Sequence, residues 1–251
     1  MIEDEERVPT GAVADEADIE SDEEKPEVAS DDDETDADSK KKKRGSFWRE
    51  LPVLLVVAVV VALLVRTFVL QSFWIPSGSM ENTLQLNDYI LANKLIYDFR
   101  DPERGEVIVF HAPESWRSDP NEEDFIKRVI AVGGDRVSYN PDEGFIRVNG
   151  RKLNEKSYLY KDPVTGVQQS PSLNDESFKL TVPKGRLWVM GDHRWASADS
   201  RERFRRTHHN RYASTIPVSA VVGKAFVLIW PIDRWSVLTV PDTFDSVPDP
   251  K

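Results

Sequence analysis

Residues 51–65 form an apolar run interrupted only by Pro52, and 67–70 extend it beyond Arg66. From Leu51 to Leu70 the stretch is 20 residues long, about the length of helix that crosses a hydrocarbon core. A helix of a soluble domain would show a polar face at helical spacing, and this run has none. Pro52 falls in the first turn, where a missing N–H costs little. Arg66 lies near the far end, where a long side chain can snorkel to the headgroups. Phe47 and Trp48 before the run, and Phe73 and Trp74 after it, resemble interfacial aromatic belts. The run begins too far into the chain, and is too long, for a cleaved secretory signal. We therefore expect one transmembrane helix over 51–70.

The flanking charges orient it. Lys40 to Lys43, Arg44 and Arg49 precede the run, whereas only Arg66 lies near its exit and the next basic residue is Lys94. Basic residues stay on the cytoplasmic side, so 1–50 is expected inside and 71–251 outside. The basic juxtamembrane segment 40–50 reads as a topology signal that contacts anionic lipid, not as a nucleic-acid site. The net charge of −11 is unevenly spread: residues 1–39 carry 18 Asp/Glu against Arg7 and Lys25. That segment has no aromatic residue and few large aliphatics, too little apolar area to offset the entropy of ordering. It is expected to be a disordered, solvated acidic tail. The absence of cysteine excludes disulfides, a thiolate nucleophile and thiolate metal sites.

From Asn87 onward the pattern is β. Short runs rich in β-branched and aromatic residues occur at 88–92, 106–110, 125–132, 136–139, 145–148, 178–182, 187–190 and 221–230. The turn formers at 140–144 join two of these into a hairpin, and Asn149-Gly150 marks a second tight turn. Residues 154–175 are polar and read as a long loop or small insertion. The fold class expected is all-β, with antiparallel sheets forming an outer catalytic domain.

Ser79 lies 14 residues beyond Val65, in Pro76-Ser77-Gly78-Ser79-Met80. A serine hydroxyl needs a base to act as a nucleophile at neutral pH. The usual base is histidine, but none of His111, His193, His208 and His209 has a context that singles it out. A lysine can serve if burial keeps its amine neutral. Lys127, between Phe125, Ile126, Val129 and Ile130, suits that role; alternation puts Phe125, Lys127 and Val129 on one sheet face. Taken alone, a serine is usually structural and a strand lysine usually solvated. A third cluster, Gly191-Asp192 through Arg201, follows a strand. Ser197 there can exchange a hydrogen bond with a lysine amine, and Asp199 and Arg201 can pair to hold the loop; a surface turn with a weak ion pair is the bland alternative. His208-His209 lacks partner ligands, so no metal site or cofactor is expected.

These segments, with Asp124-Phe125-Ile126-Lys127-Arg128, Gly134-Asp135, Gly223-Lys224-Ala225 and Trp230-Pro231, resemble the bacterial type I signal peptidases over about residues 50–235. The resemblance implies Ser79 as nucleophile and Lys127 as general base. It implies an oxyanion hole from the Ser77 hydroxyl and the Ser79 N–H, and Ser197 orienting Lys127. Asp199, Arg201 and Arg128 would support the site. The substrates implied are exported preproteins with small residues one and three positions before the cut, bound as an added strand. Departures from the family pattern are Asn82 for a proline, Ala131 for a glycine, Gly133 for a proline and His193 for an asparagine. The segment 201–216 is longer than usual; its Arg203, Arg205, Arg206 and Arg211 suit either a merely solvated loop, the more common case, or contact with anionic headgroups.

The function expected is a single-pass, membrane-bound serine endopeptidase that removes signal peptides, with membrane lipids as its other partner and no nucleic acid. Two alternatives remain: a related Ser/Lys peptidase with a narrower precursor substrate, and an inactive membrane-anchored binding module. A module that only binds has no chemical need of Ser79 or Lys127. A self-cleaving repressor would need a DNA-binding segment in place of the membrane one.

Overall fold

The computed structural model describes residues 38–172 and 176–250. The acidic tail expected at 1–39 lies outside the described residues, apart from its last two, as do the side chains of 38–49 and so of most of the basic segment. The chain divides into two units, one ending at Val53 and one running from Leu54.

Helix α1 (Asp38–Leu64) is followed by a π-helical turn, Val65–Val69. The apolar side chains of residues 51–65 are exposed. Among the described residues no helix is long and apolar enough to cross a membrane. The helix expected to Leu70 stops earlier because Leu70 already belongs to strand β1 (Leu70–Trp74), which pairs with β2 (Tyr89–Asn93). Phe73, expected in an aromatic belt, is partly buried against the core, whereas Trp74 is exposed.

The second unit is mostly β, with few helices. Its larger sheet has the order β1-β2-β11-β3-β4-β9-β10, with β12 on β11. The strands not yet given are β3 (Val107–His111), β4 (Asp124–Ala131), β9 (Arg186–Met190), β10 (Ile216–Pro217), β11 (Val221–Trp230) and β12 (Ser236–Val237). The smaller sheet has the order β7-β6-β5-β8, from β5 (Arg136–Asn140), β6 (Phe145–Val148), β7 (Arg151–Lys152) and β8 (Phe178–Thr181). Every strand pair is antiparallel.

The larger sheet is covered on both faces. Along β3, Val107 and Val109 join a cluster with Met80, Leu84 and Ile126, while Ile108 and Phe110 join another with Trp116 and Val129. This is why β3 reads as an unbroken apolar run instead of alternating. A third cluster lies between the inner face of the small sheet (Val137, Ile146, Leu180) and Ile130, Trp188 and Met190.

Residues 154–172 form no strand beyond one Lys161–Gln168 bridge, but they are tied down. Tyr158 is buried under the Arg128 guanidinium, 4.5 Å from its ring centroid. Glu155 forms a buried ion pair with Arg194. A short helix, α2 (Ile96–Phe99), follows β2, and the segment expected as a basic loop contains α3 (Ser200–Arg206). Arg203 there donates to the carbonyls of Ser115 and Trp116, and Arg205 and Arg206 pair with Glu202. Arg211 is exposed, with its guanidinium 6.0 Å from the Tyr212 ring centroid.

Candidate active site

The nucleophile candidate sits at the closed end of a pinched loop. Beyond β1 and β2 the pairing continues through Ile75 N–H to the Asp88 carbonyl (2.9 Å) and Asn87 N–H to the Ile75 carbonyl (2.9 Å). Ser77 is extended, and Gly78–Met80 form one 3-10 turn. Met80 and Leu84 are fully buried and anchor the downstream arm. Ser79 is held at the sheet surface, 5 % exposed.

β4 brings up the candidate base. Lys127 lies opposite Ile108 of β3 and is 4 % exposed. Its Nζ is 2.7 Å from Ser79 Oγ and 2.9 Å from the Ile126 carbonyl. The Phe125 ring centroid is 5.5 Å from the same nitrogen. Burial lowers the amine from 10.5 to about 8, and the charges of Asp199, Glu122 and Asp192 offset only part of that effect. Ser77 Oγ is 3.3 Å from Ser79 Oγ. A buried hydroxyl is thus in hydrogen-bond contact with an amine that is about one-tenth neutral at pH 7. That arrangement can move a proton from oxygen to nitrogen.

Residues 48–230 match the family described as signal peptidase, peptidase S26. The chain belongs to this family. It is 39 % identical over 235 residues to the probable signal peptidase I of Mycobacterium leprae, covering 77 % of this chain and 80 % of the relative. It is 40 % identical over 229 residues to the signal peptidase I of Mycobacterium tuberculosis, covering 76 % and 75 %. A crystal structure of a signal peptidase I from Enterococcus faecalis is 24 % identical and covers 50 % of this chain and 97 % of its own, with a TM-score of 0.34.

The rest of the candidate site is a carboxylate–guanidinium frame. Asp199 caps α3 and accepts two bonds from Arg201, at 2.9 and 2.7 Å, and one from the Gly191 N–H at 3.0 Å. Burial pushes the Asp199 carboxyl up, but Arg201 and these donors outweigh it and hold it below the usual range. Arg128 makes a second buried bidentate pair with Asp192, at 2.9 and 2.6 Å, and donates to the Gly105 carbonyl at 2.8 Å. Thr83, on the same loop as Ser79, donates to the same Asp192 carboxylate at 2.5 Å.

Ser197 is placed beside the site but is not bonded to Lys127. Its hydroxyl is buried and meets no partner at full hydrogen-bond geometry, although its nearness to Asp199 adds to that carboxylate's stabilisation. The geometry between them is too poor to count as a firm bond. Gly191 makes this approach possible. A Cβ there would lie 2.3 Å from Ser197 Oγ and 2.4 Å from the Ser79 carbonyl oxygen.

Several residues of this frame escape sequence reasoning: Asp192 as the partner of Arg128, Thr83, and the Glu155–Arg194 pair. A buried strand arginine signals that a carboxylate must meet it, but spacing does not say which one. Of the departures from the family pattern, Asn82 has the sharpest consequence: its φ is +83°, a left-handed conformation that asparagine tolerates and proline cannot adopt.

Proposed function

We propose that Ser79 and Lys127 are the nucleophile and general base of a membrane-bound serine endopeptidase that removes signal peptides from exported preproteins. The observation that carries this reading is the 2.7 Å contact between Ser79 Oγ and a buried lysine Nζ whose pKa is lowered to about 8. As Oγ attacks the scissile carbonyl, its proton passes to the neutral amine. The carbonyl electrons move to oxygen, where the Ser77 hydroxyl and Ser79 N–H stabilise the charge. When the C–N bond breaks, the Lys127 ammonium returns the proton to the leaving amine. Water, deprotonated by the same lysine, then hydrolyses the acyl-serine.

A neutral lysine has one lone pair and two N–H donors. The lone pair is needed by Ser79, and one N–H faces the Ile126 carbonyl at 2.9 Å. Ser197, with a buried and unbonded hydroxyl, is the group suited to take the other and fix the amine's rotation. Asp199, Arg201 and Arg128 support this arrangement by closing the buried loop ends.

The extended chain of a signal peptide, with small residues one and three positions before the cut, would bind as an added strand. The apolar run from Leu51 to Val65, extended by 67–70, has about the number of residues that a hydrocarbon core takes as helix. The exposed apolar side chains of residues 51–65 favour lipid as the surrounding. Trp74, Tyr89 and Trp230, on neighbouring strands, are exposed. So is Trp235, and such side chains suit a membrane interface. The basic residues that precede the apolar run favour a cytoplasmic N-terminus and an extracytoplasmic peptidase unit.

The test is processing of a preprotein in detergent by the full chain and by Ser79→Ala, with sequencing of the product's new N-terminus. Cleavage after a small residue, abolished in the variant, is expected. Cleavage that survives in Ser79→Ala would remove Ser79 from its role.

A further inference from the structure

Three separate segments meet beside the nucleophile turn through Glu81, His193 and Tyr160. His193 Nδ1 is 2.7 Å from the Glu81 carboxylate, with the two side chains 15 % and 27 % exposed. The imidazole lies flat on the Tyr160 ring, centroids 3.9 Å apart and planes 11° from parallel. The His193 main-chain N–H donates to the Ser79 carbonyl at 3.1 Å. The Glu81 carboxylate also presses on Gly78: a Cβ there would lie between 2.8 and 3.0 Å from its carbon and oxygens. These links run from the Ser79 carbonyl through His193 to Glu81, whose carboxylate fills the space beside Gly78.

Residues 77–79 need such a restraint. Upstream the chain is pinned at Ile75, and downstream Met80 is buried. Between those points stands Gly78, whose backbone no Cβ restricts. Rotation there would carry Ser77 Oγ and Ser79 Oγ away from each other and from Lys127. The Glu81 carboxylate occupies the space that a side chain at Gly78 would fill, and His193 holds that carboxylate in place.

We propose that Glu81 and His193 are a positioning pair that fixes the turn at 77–80 and so aims Ser79 at Lys127. This rests on the reading of Ser79 as the nucleophile. His193 stands where the family pattern has asparagine. An asparagine amide nitrogen would fall near the place of the imidazole Nδ1, so either residue can donate to Glu81.

The test uses the full chain in detergent and two readouts. Amide hydrogen exchange across residues 77–84, followed by mass spectrometry, reports the turn itself. Steady-state cleavage of a signal-peptide substrate separates kcat from KM. His193→Ala and Glu81→Ala should each speed exchange in the turn and lower kcat about 10- to 100-fold, with KM within about twofold of wild type. The double variant should be no worse than either single one. His193→Asn should restore protection and most of kcat. The idea is overturned by unchanged exchange, by additive losses, or by a rise in KM at unchanged kcat, which would make the pair a substrate contact. Failure of the nucleophile reading looks different: Ser79→Ala would stay active while His193→Ala still loosened the turn.

Discussion

Burial holds the Lys127 amine at about 8 instead of 10.5, a difference of about 3 kcal/mol between its charged and neutral forms. The same effect that supplies a base opposes folding. Between about pH 8 and 10.5 the unfolded chain binds more protons than the native one, so stability rises with pH across that window. Below about pH 8 both states are protonated and the burial penalty is fully present. Lys127→Met, which buries no charge, should therefore be more stable than wild type in denaturant unfolding near pH 6.5. The gap should narrow as the pH approaches 10. A less stable methionine variant at the acid end would mean that burial is not what lowers the amine. At Ser79 and Lys127 the sequence was informative only in part. The apolar neighbours of Lys127 announced its burial, but nothing in the spacing of residues 79 and 127 announced that they touch.

β4 carries both the proposed base, Lys127, and one half of the frame, Arg128, on consecutive residues. Arg128 is 2 % and Asp192 0 % exposed, and their bidentate pair ties β4 to the start of the loop that follows β9. Removing one member leaves an uncompensated buried charge. Asp192→Ala should lower the unfolding free energy by about 3–5 kcal/mol, read from denaturant curves at neutral pH. A loss below about 1 kcal/mol would show that water reaches Arg128. Most strands were legible because β-branched runs and turn residues mark them locally, as in the β5–β6 hairpin with its Gly144 turn at φ +70°. β1 was not. Leu70, Phe73 and Trp74 continue the apolar run before them, and only pairing with β2 makes them a strand. The partner of Arg128 was hidden for a similar reason, since 44 acidic residues compete for it on paper.

In the unit from Leu54 onward, the two-faced sheet gives the site its rigidity. Ser79 arrives on a loop pinned by Met80 and Leu84, Lys127 on a central strand, and Ser197 and Asp199 on a loop braced by Arg201 and Arg194. These lie far apart in sequence and converge because one core holds β2, β3 and β4. The reading that unites them is a serine activated by a lysine whose burial eases loss of its proton. Its most direct test is the pH dependence of kcat/KM for a preprotein substrate, measured on the full chain in detergent, which reports the ionisation of the free enzyme's base. The profile should rise through about pH 8, and Lys127→Ala should fall at least about 100-fold below it. A profile that rises through about 6.5, as an ordinary histidine would give, and that survives in Lys127→Ala would contradict the account.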